Sequence, residues 1–526
     1  MISAIIITVY FIGMLILIFL NKVNRAILAL GGALLTFFSL IVIENDTYTK
    51  DHLIELILGK APDYFNLQAI ILILGMVFIV QICHLAGVFQ YFAFKLIQIT
   101  KGKPYRLFLV FSSLALFLSA LLNNIVAVII LIPLTIVVFR ILRIDPSPYI
   151  ISEAVLVNVG ALIFSISSIP SILISTSAGI SFNEFFINIG LYALVLFVIT
   201  LLFFQIYYRH KLMPPKEKTI ANLLEFNVWN YVSNKNLFYK SIFIFLAVLI
   251  GFILIPPDLI SPGIIALTGA MVLAVISRLD GKTIIQKIDF ELMLYLFGLF
   301  IMVGAMEYTN VIGIFGNAIE AFSAYNEYLA VILIVWLSAF LCTSIDNLPI
   351  TTALIPVVNT ISSMEQMAPH SAFYGLAFGV NLGNTLLLKG EQVSALKIAE
   401  QNERPIKVKQ FRRLAFVAML LQLTAVTIYF LMLYDYIIGF FTIFLTLVII
   451  LFSLLFRYMT TSFKKEEKLI FSRALRKVKN PRYRRKKKLI FQEFTRKFIR
   501  PNLIKDRKLI MQTILRNIKR FLEELF

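Results

Sequence analysis

Two polar pairs interrupt long apolar stretches, and they are the residues best able to do chemistry: Asn123-Asn124 in the middle of 105–142, and Asp346-Asn347 in the middle of 327–358. Each amide offers a neutral donor and acceptor, and Asp346 adds a charge. A carboxylate within an apolar segment of membrane length is costly, so it marks a functional position by default. A break of this kind also exposes helix ends, whose unpaired N–H and C=O groups bind ions of either sign. Capping of those ends is the plainer role for Asn and Asp, and one side chain can do both. Two further apolar regions are broken as well. Asn158-Val-Gly160 lies in 150–180, followed by Ser165, Ser167, Ser168 and Ser171. Asn381-Leu-Gly383-Asn384 lies in 371–398, followed by Lys389, Glu391 and Ser394. An amide beside a glycine allows close backbone approach, while the serines also suit bonding back to helix carbonyls.

The candidate set for substrate or ion binding is therefore Asn123, Asn124, Asn158, Gly160, Ser171, Asp346, Asn347, Asn381, Gly383, Asn384 and Ser394. Lys389 and Glu391 read either as a gate or charge partner, or as a simple pair at a helix end. Na⁺ is a candidate ion at Asn124, Asp346 and Asn347. No cofactor is expected, only a coupling ion, Na⁺ or H⁺.

The elements that must position these residues follow from composition. Of 526 residues, 60% are hydrophobic and 15% charged, which places most of the chain in lipid. A single soluble core does not reach this size at this apolarity. The formal charge of +20 is unevenly placed, much of it in the last stretch of chain, so no nucleic-acid partner is expected. Cys83 and Cys342 lie in apolar stretches and make no disulfide framework. The first apolar run has no basic leader or cleavage site and is expected to stay as a span. At about 20 apolar residues per span, candidates are 2–20, 26–44, 67–87, 187–208, 238–255, 262–277, 290–306, 414–434 and 437–459. The four broken regions need protein or water around them, because lipid does not satisfy irregular backbone.

An internal repeat ties the four breaks together. Adding 223 to Gly75, Asn124, Pro133, Asn158 and Gly160 gives Gly298, Asn347, Pro356, Asn381 and Gly383, without a gap. If 105–142 and 327–358 are hairpins, each repeat crosses the membrane an odd number of times and the second copy is inverted. Lys and Arg fit this arrangement with the N-terminus outside: Lys22, Arg25, Lys101, Lys103, Arg140, Arg143, Lys211, Arg278 and Lys407 all fall on one side. The expected fold class is an all-α polytopic membrane protein. It has two inverted repeats, each with a re-entrant hairpin and a broken helix, plus one extra C-terminal span. The expected boundaries are 1–210 for the first repeat, 211–236 for a cytoplasmic linker, 237–435 for the second repeat, 436–460 for the extra span and 461–526 for a tail.

The residues at the breaks also carry a resemblance. Ser119-Ala-Leu-Leu-Asn-Asn124 through Pro133, and Ser344-Ile-Asp-Asn347 through Pro356, resemble the paired hairpin motifs of the ion-transporter superfamily. The nearest branch is that of arsenite permeases, NhaD-type sodium/proton antiporters and the pigmentation P-protein, with its citrate-transporter-like domain. The segment 158–171 resembles that group's first Gly-rich stretch, and 381–391 its second. The resemblance covers about 1–435 and implies two re-entrant hairpins, two unwound helices and alternating access. Asn123 stands where the group often has Asp, and Ser168 where it has Asp. Ala161 and Ser167 replace glycines, and Ser171 and Ser394 replace asparagines. The tips lack the Ser-Asn-Thr triplet of divalent-anion carriers, which weighs against a dicarboxylate.

After Arg457 the chain becomes basic and amphipathic. Lys468, Lys488 and Lys508 each open a Leu-Ile pair at a spacing of 20 residues, with Pro481 and Pro501 between units. Ile490, Phe491, Phe494 and Phe498 make one helical stripe, which suits anionic headgroups of the inner leaflet. The expected function is a secondary active transporter of a small inorganic ion, cation-coupled, in the cell membrane, with its tail in the cytoplasm. The alternatives are a sodium- or proton-coupled symporter of a small anion such as an oxyanion or carboxylate, and a non-transporting membrane scaffold. Partners are the small ion, the lipid bilayer and, as a candidate, a second copy of the chain. No nucleotide loop or hydrolase constellation accompanies the spans, so an enzyme is not expected.

Overall fold

The computed structural model describes residues 2–434 other than 21–22, 44–49, 60–63, 101–102, 210, 213–227, 233, 280–281, 283–285, 287–288, 323–325, 363–367 and 387–390. The expected span 437–459, the tail and Lys389 lie outside the described residues. All regular structure among the described residues is helical. In chain order the helices are α1 (Ile2–Leu20), α2 (Arg25–Ile43), α3 (Lys50–Leu58), α4 (Phe65–Leu85), α5 (Val88–Ile99), α6 (Pro104–Leu121), α7 (Asn124–Leu142), α8 (Ser147–Gly160) and α9 (Ile169–Ala178). They continue with α10 (Phe182–Tyr208), which holds a π-helical turn at 186–190, then α11 (Lys235–Leu254), α12 (Pro262–Ser277), α13 (Phe290–Tyr308) and α14 (Val311–Phe322). The last are α15 (Glu327–Cys342), α16 (Asn347–Ser362), α17 (Ser371–Gly383), α18 (Glu391–Gln401) and α19 (Val408–Tyr434). Residues 1–430 form one compact unit.

Nine of the described helices are long and apolar enough to cross a membrane: α1, α2, α4, α6, α7, α10, α11, α13 and α19. Their outer faces carry bare apolar side chains, as Phe38 on α2 and Leu254 on α11 show, and a lipid-facing surface requires this. The short helices α3, α5 and α14 go beyond what the span pattern predicts.

Each break has a local cause. At the first hairpin, Leu122 is extended, and the Asn123 side chain accepts the backbone N–H of Ile125 at 3.2 Å. This N-cap restarts the chain as α7. In the first broken helix, α8 ends at Gly160 and turns run to Ser168. The Ser168 hydroxyl accepts the N–H of Ser171 at 3.2 Å, and Pro170 sits in the first turn of α9, where a missing donor costs nothing. The hairpin 327–362 breaks between Cys342 and Asn347, and the helix 371–401 breaks between Gly383 and Glu391.

Element boundaries recur at the spacing of 223. α5 and α14 match at both ends, α6 and α15 start in step, α7 and α16 start in step, and α8 and α17 end in step. The packing recurs too. α2 packs on α13 and α4 on α12. A Cβ on Gly298 would lie 2.5 Å from the Ala29 carbonyl carbon, and one on Gly75 would lie 2.7 Å from that of Ala266. Within each half, Gly160 presses on the carbonyl of Leu116 in α6, and Gly383 on that of Ala339 in α15, again 223 apart. The second hairpin arms exchange partners: α7 packs on α18, and α16 on α9.

These close approaches make a stability test. Gly298→Val inserts branched atoms between α13 and the α2 backbone, and overpacking of this kind costs about 1–3 kcal/mol. A lowered melting temperature in detergent is the expected result.

Candidate functional site

The two hairpin tips meet on the wall of one cavity of about 680 Å³. Asn123, Asn124 and Ile125 come from the first tip, and Asp346, Asn347 and Leu348 from the second. The first turn of α9 contributes Ser168, Ile169 and Pro170, and the first turns of α18 contribute Val393, Ser394 and Lys397. The cavity therefore faces the N-terminal ends of α7, α9, α16 and α18, whose N–H groups carry the positive ends of the helix dipoles. It continues to the α1–α2 connection (Val23, Asn24, Arg25) and to the start of α13 (Asp289, Glu291, Leu292).

The candidate residues divide into a wall and a shell behind it. Asn123, Asn124, Asp346, Asn347 and Ser394 line the cavity; Asn158, Gly160, Ser171, Asn381, Gly383 and Asn384 are buried and do not line it. Glu391 opens α18, and Lys389 precedes it outside the described residues.

The shell is hydrogen-bonded through both halves. The Ser119 hydroxyl donates to Asn124 Oδ1 at 2.7 Å and sits 2.5 Å from the Val157 carbonyl oxygen. Asn124 Nδ2 donates to Asn158 Oδ1 at 3.4 Å. Ser168 donates to Asn381 Oδ1 at 3.0 Å, Asn381 Nδ2 donates to Ser171 Oγ at 3.3 Å, and Ser171 donates to the Ala161 carbonyl at 3.1 Å. Asn381 thus ties the broken helix of one half to that of the other. Of the serines that suit back-bonding, Ser167 and Ser171 bond to carbonyls outside their own helical turn, those of Ala120 and Ala161, while Ser168 caps α9 and bonds across halves.

Four charged residues at this cavity lie outside the candidate set. By sequence Arg25 is only a loop charge, and Asp289, Glu291 and Lys397 have no assigned role. Arg25 Nε donates to Glu291 Oε1 at 3.3 Å. Its guanidinium also lies 3.7 Å from Asp289 and 3.8 Å from Asp346, above the Tyr295 ring. A signal is present in the repeat: Asp289, Glu291 and Asp346 stand 223 residues after Asn66, Gln68 and Asn123, each an acid in place of an amide. Glu153 is a further buried acid, accepting from the Thr135 hydroxyl at 2.9 and 3.0 Å between α7 and α8, away from the cavity wall.

A second cavity, of about 320 Å³, is lined by Glu55, Asn66, Glu307, Tyr308, Thr352 and Asn359 among others. α13 runs from Glu291 in the first cavity to Glu307 in the second, a separation of about 24 Å at 1.5 Å per residue. The two spaces lie toward opposite ends of the bundle. They approach each other to about one helical turn: Pro170 faces one and Leu173 the other on α9, and Leu348 one and Thr352 the other on α16.

The chain is similar to known membrane transporters. Residues 15–379 match the family described as Citrate transporter. The chain is similar to the 46 kDa membrane protein of Mycobacterium leprae, 28% identical over 431 residues covering 81% of this chain and 98% of the relative. An uncharacterized transporter of Mycobacterium tuberculosis is 28% identical over 366 residues, 69% of this chain and 85% of the relative. P protein of Homo sapiens is 25% identical over 496 residues, covering 78% of this chain and 58% of that protein.

The shell bonds predict a non-additive pair. Asn381→Ala leaves the buried Ser168 and Ser171 hydroxyls short of a partner, at a cost of about 1–3 kcal/mol, and Ser168→Ala breaks the same network. Melting temperatures should fall in each single variant and fall little further in the double, since residues of one network couple by about 0.5–3 kcal/mol.

Proposed function

This chain belongs to the citrate transporter family and is a multi-pass membrane protein; on that footing we propose that it is a secondary active transporter of a small ion, coupled to a cation. The observation that carries this reading is the convergence of Asn123, Asn124, Asp346 and Asn347, from two separate hairpin tips, on one cavity. A carboxylate beside amide oxygens offers hard oxygen ligands to Na⁺, or a site for H⁺. Asp346 is the coupling group in this reading, with Asn124 and Asn347 as neutral ligands and Ser394 on the wall. Asn158, Gly160, Ser171, Asn381, Gly383 and Asn384 hold the tips in place from behind.

The reciprocal packing of α2 with α13 and α4 with α12 supports an inverted pair of repeats, 1–210 and 237–435, around the linker 211–236. With the N-terminus outside a cell membrane, the larger cavity opens to the cytoplasm and the smaller one to the outside. Alternating access then requires only that the one-turn septum at Pro170–Leu173 and Leu348–Thr352 shift relative to the scaffold. In the same reading the extra span 436–460 returns the chain to the cytoplasm, and the basic tail 461–526 holds anionic headgroups.

One observation favours a small anion, such as an oxyanion, as the transported species. The first turns of α7, α9, α16 and α18 all face the cavity, and Arg25 and Lys397 stand on its wall; helix N-termini and cations together attract negative charge. In this version the cation at Asp346 drives uptake of the anion. Purified protein in vesicles, given Na⁺, Li⁺, K⁺ or proton gradients and a panel of oxyanions and carboxylates, separates the two versions.

Asp346→Asn keeps size and hydrogen-bonding capacity but removes the charge. We expect loss of cation-driven flux, with insertion and melting temperature close to wild type, measured as initial uptake normalised to inserted protein. Wild-type flux with an unshifted pH profile would remove Asp346 from the mechanism.

A further inference from the structure

The charges at the cavity mouth come as a set. Arg25 faces three carboxylates, Asp289, Glu291 and Asp346, at 3.7, 3.3 and 3.8 Å. At the repeat spacing of 223 their counterparts are Asn66, Gln68 and Asn123, all neutral. α2 and α12 correspond through their contacts, Ala29 against Gly298 and Ala266 against Gly75, a spacing of 237; on that spacing the counterpart of Arg25 is Pro262. The cluster therefore joins an arginine of the first half to three acids of the second, where the corresponding positions hold a proline of the second half and three amides of the first. If these groups only held helices together, the neutral set would serve in both places, as it already serves in one.

The set also divides mechanically. Arg25, Asp289 and Glu291 ride on α2 and the start of α13, which are packed against each other at Gly298. Asp346 is on the tip of the second hairpin. Arg25 thus spans two bodies, with its closest acid, Glu291, on its own side and Asp346 across the cavity wall. Both Arg25 and Asp346 keep more than a quarter of their side-chain surface exposed, so water and ions reach the pair.

We infer that Arg25 is a competing internal cation: it occupies the Asp346 carboxylate when no coupling ion is present, and an incoming cation displaces it onto Asp289 and Glu291. This inference rests on the reading of Asp346 as the coupling group. The exchange is cheap because the guanidinium never loses its counter-charge; it shifts from three acids to two. The empty carrier is held by the Arg25–Asp346 pair, and cation binding releases the hairpin tip from α2. Arg25 is a positioning residue in this scheme, acting through Asp346 and not on the transported ion.

Competition makes opposite signs for two substitutions, which a structural role does not. Arg25→Gln takes the competitor away from Asp346. It should lower the cation concentration for half-maximal response at least about fivefold, the weight of one charge some 4 Å away in water-like surroundings. Removing Glu291 leaves Arg25 leaning harder on Asp346, so Glu291→Gln should raise it. Arg25→Lys keeps the charge and should stay near wild type. The readout is charge displacement on supported membranes carrying the reconstituted full chain, triggered by Na⁺ jumps and, in a separate arm, by pH jumps. In the pH arm Arg25→Gln moves the half-maximal response to higher pH and Glu291→Gln to lower pH. Shifts in opposite directions support the inference. No shift, or shifts of the same sign, with the response still abolished by Asp346→Asn, overturn Arg25 as competitor and leave Asp346 standing. A response that survives Asp346→Asn overturns both. If Arg25→Gln fails to insert, the Glu291→Gln and Arg25→Lys arms still decide, because no upward shift in the former refutes competition.

Discussion

Irregular backbone at membrane depth is allowed only where protein or water satisfies its N–H and C=O groups, and this constraint organises the whole structure. Four apolar segments are broken, at 122–123, at 161–168, at 343–346 and after Gly383. Each break has to be enclosed by other helices or opened to a cavity. The chain does both: the tips Asn123-Asn124 and Asp346-Asn347 are on a cavity wall, and the segment 158–171 is sealed behind them by serine and asparagine bonds. The exposed ends of the broken helices would be a liability in lipid. Gathered around one space, they become its positive rim.

The glycines show how little slack this arrangement has. Gly160 and Gly383 each press on a carbonyl of the neighbouring hairpin arm, and Gly75 and Gly298 each lie on the backbone of a helix from the other half. These contacts fix where the hairpins stand relative to the broken helices, and so where the tips point. Against that near-symmetric frame the charges are asymmetric: one tip reads Asn-Asn and the other Asp-Asn, with Arg25 drawn to the acidic one. A symmetric scaffold with an asymmetric charge set can place one coupling ion in a site that both halves build.

Much of this is legible in the sequence, for identifiable reasons. The hairpins and broken helices are readable because lipid excludes polar pairs and glycine-linked amides from an uninterrupted span. The repeat is readable because Asn-x₈-Pro and Asn-x-Gly recur at a single spacing. Which of the candidates touch the cavity is not readable: Asn158 and Asn381 look like Asn124 and Asn347 in sequence, yet are wholly buried behind them. Arg25 is hidden by its position at a helix start beside a loop, where the positive-inside tendency already accounts for a basic residue. Asp289 and Glu291 sit at the start of a helix, where acids are ordinary. Only the amide-to-acid changes at the repeat spacing set them apart, and that comparison carries meaning once the guanidinium is seen between them. The short helices α3, α5 and α14 fall below span length, so a search for membrane-length runs passes over them.

The central claim is that both hairpin tips build one ion site. Its most direct test is the concentration dependence of initial uptake in reconstituted vesicles for Asn124→Ala, Asn347→Ala and the double variant, each normalised to inserted protein. The account expects half-saturating concentration to rise in both single variants, with the double showing less than the product of the two effects. Full affinity in either single variant would contradict a shared site.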